Sequence, residues 1–81
     1  MKITIPTYSS ITGTPEAILQ VMQDARFFET ATGDDYIDAI RNESWRFFGI
    51  GLQVTGNTYA ERAESLLREM HRNHMINIEE E

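Results

Sequence analysis

The stretch NTYAERAESLLREMHRNHMINIEEE, residues 57–81, contains a helix start, a helix end and a change of hydrophobic period. Thr58 precedes Glu61 by three positions, the spacing of a capping box. In that motif the hydroxyl accepts from the amide of the third helical residue and the glutamate reaches back to the cap amide. Tyr59, Ala63, Leu66, Leu67, Met70 and His74 recur at three- and four-residue intervals, which lines them along one helical face. Glu61 and Glu64 lie in the first turns and Arg68, His71 and Arg72 in the last, so charge opposes the helix dipole at both ends. Glu64 and Arg68 are spaced to pair at i, i+4. Asn73 is the expected left-handed cap. From Met75 onward the period falls to two, and Ile76 and Ile78 share one face of a terminal strand, with Glu79 to Glu81 trailing into solvent.

Working back from this anchor, Lys2-Ile3-Thr4-Ile5 alternates as a strand, and Pro6 removes a ladder donor behind it. Ser9, Ser10, Thr12 and Gly13 read as the turn that follows. Thr14-Pro15-Glu16 supplies a cap, a proline at the first helical position and an acid in the first turn. Ile18, Met22 and Ala25, with Leu19, Val21 and Phe28, form the buried face of this first helix. Thr30 to Gly33 break the pattern. Asp34 or Asp35 then caps a second helix, whose inner stripe runs through Tyr36, Ile37, Ile40, Ser44 and Phe47 or Phe48.

Residues 48–54 alternate again, with Phe48, Ile50, Leu52 and Val54 on one side and Gly49 and Gly51 on the other, where a neighbouring backbone is expected to approach closely. Continuing the second helix through them would place two glycines in its interior, at about 1 kcal/mol each. A strand is the expectation. The fold class is therefore α+β, a small β-α-α-β-α-β domain with three helices packed on a short sheet containing both terminal strands. Its last β-α-β would be a right-handed parallel crossover. The alternative is a mostly α chain with a two-stranded pairing of its termini. Ile3, Ile5, Ile50, Leu52, Val54, Ile76 and Ile78 form the expected sheet side of the core.

The chain of 81 residues reads as a single domain, 1–81, that buries roughly 60% of its unfolded surface, a thin core that favours self-association. The absence of cysteine excludes disulfides, thiolate metal sites and cysteine nucleophiles. Nothing resembles a secretory leader or a membrane span, so a cytoplasmic location and no membrane are expected. Seven basic against thirteen acidic residues give a net charge of −6, which opposes the counterion release that drives nucleic-acid binding and favours a basic protein partner.

No constellation names a reaction. His71 and His74 could bring two imidazoles to one flank of a helix, but no third ligand is evident, and histidine at a helix end already complements the dipole. Gly49, Gly51 and Gly56 lack the spacing and lysine of a phosphate loop. Asp34, Asp35, Asp38 and Glu43 lack the register of a calcium loop, and no Asp-Ser-Leu stands at a helix start to accept a carrier arm. No nucleophile, general acid–base pair or triad stands out, so neither enzyme activity, cofactor nor metal is expected. Trp45 falls off the apolar stripe beside Arg46, and an exposed tryptophan next to arginine has the composition of an interface hot spot. Asp34, Asp35, Asp38, Glu43, Trp45 and Tyr36 form the expected partner-binding set on the second helix. The expected function is that of an acidic binding or inhibitor protein, such as a phage-type accessory or antitoxin-like neutraliser, with an oligomeric module that sequesters a small ligand as the alternative.

Overall fold

A computed structural model describes residues 1–5, 10–25 and 36–79. Strand β1 (Lys2–Thr4) lies at the centre of a three-stranded sheet, flanked by β2 (Ser10–Thr12) and β3 (Asn77–Glu79), both antiparallel to it. The register places Ile3 opposite Ile11 on one side and opposite Ile78 on the other. Because successive side chains alternate between faces, these three isoleucines form one row on the inner face, while Lys2, Thr4, Ser10, Thr12, Asn77 and Glu79 occupy the outer one. There Lys2 Nζ lies 3.3 Å from a Glu79 carboxylate oxygen.

Helix α1 (Pro15–Asp24) starts where Thr14 Oγ1 accepts from the Ala17 amide at 3.2 Å. It buries Ile18, Leu19 and Met22, while Val21 and Ala25 face solvent; Phe28 lies outside the described residues. Helix α2 (Tyr36–Glu43) continues directly into a π-helical turn, Ser44–Phe48. Helix α3 (Tyr59–Arg72) buries Ala63, Leu66, Leu67 and Met70 between the sheet, α1 and α2. Truncation of Leu66 at this junction would cost about 2–5 kcal/mol, the usual range for a fully enclosed leucine.

The fold class thus stands, with three helices on a small sheet holding a strand near each terminus, but the middle strand is not where the periodicity placed it. Ser10 and Thr12, read as turn, form the third strand with Ile11 between them. The order is β-β-α-α-α-β, and no parallel crossover occurs among the described residues. Residues 50–56 are neither strand nor helix. They keep the alternation, with Leu52 in the core and Ile50 and Val54 half-buried against it, yet the backbone bonds of Leu52, Gln53 and Thr55 go to helix side chains. Gln53 N–H donates to Glu69 Oε1 at 3.0 Å, Thr55 N–H to Ser65 Oγ at 3.0 Å, and the Leu52 carbonyl accepts from Arg41 Nε at 3.3 Å. A two-residue period reports one buried face, and that requirement is met here without a neighbouring strand.

Both ends of α3 differ in detail from the capping expectation. Thr58 Oγ1 accepts from Glu61 N–H at 3.1 Å as expected, but Glu61 Oε2 accepts from the Asn57 amide, one residue before the cap. At the far end Asn73 keeps a negative φ and His74 takes the left-handed conformation, φ 62°. His74 N–H then donates to the His71 carbonyl and Met75 N–H to the Met70 carbonyl. These are the two bonds of a Schellman cap with His74 in the position that usually holds glycine.

Candidate functional site

The π-helical turn decides which aromatic side chains reach the surface. Its bonds close over five residues rather than four, so each residue advances by a smaller angle around the axis than in an α-helix. The stripe Tyr36, Ile37 and Ile40 therefore continues inward only as far as Ser44, which is fully buried and donates from Oγ to Met75 Sδ at 3.7 Å. Phe47 and Phe48, one or the other of which is the expected next member of the stripe, lie 66% and 61% exposed, and Trp45 is 67% exposed. Gly49 ends the turn at φ 67°. Its N–H donates to the Trp45 carbonyl at 3.1 Å, and the Ile50 N–H donates to the Ser44 carbonyl at 3.2 Å. Each of these bonds spans one residue more than in the cap of α3. The widened turn is thus closed by a glycine in a left-handed conformation, at the least steric cost.

The guanidinium of Arg46 stands 5.5 Å from the centroid of the Phe47 ring, within cation–π range. Arg46 is the one arginine or lysine among the described residues with no carboxylate in ion-pair distance. Glu43, one turn earlier, is half-buried and likewise has no cation partner among them. On the other flank of Trp45 a surface groove of about 430 Å³ runs between α2 and the extended segment, lined by Asp38, Asn42, Gly51 and Gln53 among others.

The expected partner-binding residues separate. Trp45 and Glu43 fall at the end of α2, on the same short stretch of chain as the exposed Phe47 and Phe48. Asp38 lies one turn up the helix, where its Oδ1 is shared by Arg41 at 3.6 Å and Arg62 at 3.5 Å, so its charge is already compensated. Tyr36 sits in the core at 6% exposure, and burial, followed by the neighbouring Tyr59, raises its phenol pKa above the ordinary value. Asp34 and Asp35 lie outside the described residues.

The histidine pair is not built as a metal site. No group of three His, Asp or Glu side chains is arranged to hold an ion among the described residues. His71 turns to β3 instead, where the Ile78 amide donates to its Nδ1 at 3.2 Å and the Ile76 carbonyl oxygen lies 3.3 Å from the same nitrogen. Glu69 has a structural duty as well. Two bonds from Arg72, at 2.8 and 3.1 Å, and then the Gln53 amide hold its carboxyl below the usual range. No helix among the described residues is long and apolar enough to cross a membrane. No protein-family model, curated protein or solved structure matches this chain.

Proposed function

We propose that this chain is a small non-enzymatic binding protein, of the inhibitor or neutraliser kind, that docks on a basic protein through the aromatic turn at the end of α2. The observation that carries this reading is the placement of Trp45, Phe47 and Phe48, each about two-thirds exposed on one short, capped segment. Three large apolar side chains exposed within four residues of so small a domain are the concentration of apolar surface that marks an interaction site when it forms one patch. Tryptophan beside arginine is the residue chemistry that dominates binding energy at protein interfaces. The net charge of −6, together with Asp34 and Asp35 ahead of α2, favours a basic partner through its effect on encounter.

The reading is tested by capture from the source cells with wild-type and Trp45→Ala bait, identification of the retained protein, and binding kinetics over a salt series. Truncating a central tryptophan costs about 2 kcal/mol or more, so dissociation should quicken roughly thirtyfold with little change in association. Asp34→Lys with Asp35→Lys should slow association and flatten its salt dependence. A partner that Trp45→Ala still holds like wild type, and that charge changes on α3 release, would place the interface elsewhere.

A further inference from the structure

We infer that the aromatic turn pairs with the same turn of a second copy of this chain, in a two-fold dimer where Arg46 of each copy meets Glu43 of the other. This rests on the same exposed turn as the proposed function but does not require an outside partner. The two charged groups are three residues apart on one helix end, and neither forms an ion pair, with the other or with any other charge, among the described residues. In an isologous interface, if residue i meets j then j meets i. A two-fold axis between positions 43 and 46 therefore forms the pair twice and satisfies each of the four charges once.

The apolar part fits the same arrangement. Trp45 borders the groove that Asn42 and Gly51 also line, so each copy offers both a knob and a recess. Aromatic side chains bury about 150–250 Å² each, so at two-thirds exposure the turn brings roughly 400 Å² per copy. Two copies reach about 800 Å², short of the roughly 1,200 Å² of a standard specific interface, and the groove walls supply part of the remainder. Two chains of −6 also repel each other, an effect screened beyond about 8 Å at physiological salt. Both considerations make the dimer reversible, in exchange with a monomer whose turn is open to another protein.

Sedimentation of the full chain from about 1 µM to 1 mM at 0.15 M salt is the test. Wild type should pass from monomer to dimer, and Phe47→Ser with Phe48→Ser should remain monomeric. Glu43→Arg alone and Arg46→Glu alone should each weaken dimerisation about tenfold or more, while the double reversal restores it to within about threefold, as a direct pair requires in a double-mutant cycle. Circular dichroism confirms that each variant is folded, and since all charge variants keep Trp45, its fluorescence should follow the dimer fraction. A monomer throughout the range, or a dimer indifferent to both charge reversals, overturns the inference. So does a chain that stays monomeric but binds zwitterionic lipid vesicles through the turn. A monomer that still captures a partner dependent on Trp45 would sink the dimer alone and leave the proposed function standing.

Discussion

His74 occupies a backbone conformation that costs most side chains about 1–2 kcal/mol, yet its ring is exposed and no contact of that ring explains the choice. The requirement belongs to the backbone. The Schellman cap of α3 needs one left-handed residue between Asn73 and Met75, and glycine fills it with least strain. His74→Gly should therefore stabilise the protein by about 1 kcal/mol, seen as a higher urea midpoint with an unchanged slope. A loss of stability would show that the imidazole has a task of its own. Asn73 was the natural candidate for this cap because asparagine tolerates positive φ. Its side chain instead donates from Nδ2 to the Glu69 carbonyl at 2.8 Å, doubling the bond that the Asn73 amide already makes to the same oxygen at 3.1 Å. A competition of this kind, between two adjacent residues that each suit the cap, is decided by tertiary contacts, and no local pattern carries it.

At the scale of elements, α1 and α3 were legible because Thr14 and Thr58 cap where their spacing places them and the middle of each stripe is buried, although Val21 and Ala25 of α1 and Tyr59 and His74 of α3, read as inner-face residues, are exposed. The extended segment 50–56 and the π-helical turn were not. Alternation at Ile50, Leu52 and Val54 reports an inner face but not what its backbone bonds to, and the answer lies with Arg41, Ser65 and Glu69 on two helices. Strand β2 carries one isoleucine among hydroxyl residues, too short a signal to set against its turn-like composition. The helical stripe of α2 was correct through Ser44 and failed at Phe47 and Phe48, since a change of helix type shifts every later residue and has no sequence signature. Of the candidate site, Trp45 and Glu43 were therefore readable and its two phenylalanines were not. The glycines of the extended segment also exchange roles. A Cβ at Gly49 or Gly51 would meet nothing within 4 Å, whereas one at Gly56 would lie 2.7 Å from Glu61 Cβ, with φ at 128°. Gly56→Ala should cost about 1–3 kcal/mol of stability, and Gly51→Ala should add about 0.4–1 kcal/mol by restricting the unfolded chain. Equal thermal midpoints for the two variants would contradict this close approach at the start of α3.

Over the whole molecule, charge and burial are distributed unevenly. Five acids (Glu29, Asp34, Asp35, Glu80 and Glu81) and one base (Arg26) fall outside the described residues, leaving eight acids and six bases, a formal charge of −2. Most of the acidic character thus belongs to the segments before α2 and after β3. In the core, Tyr36 makes stability depend on alkaline pH. Burial raises its pKa in the folded chain above the unfolded value of about 10, so the native state keeps its proton where the unfolded state has lost it. This contribution is fully present below pH ~10 and declines as pH rises through and beyond that value. Wild type should accordingly lose stability above pH ~10 more steeply than Tyr36→Phe, measured by urea unfolding at a series of alkaline pH values. Parallel curves would assign the alkaline loss to other groups. Among the described residues, finally, the sheet has three short strands, and β3 is one of its two borders. Along that border the Ile76 carbonyl and the Ile78 amide are the groups that an incoming chain would grip to lengthen the sheet. The ring nitrogen of His71 already occupies the space between them. An imidazole on a neighbouring helix thus takes the place at this border where the backbone of an added strand would bond.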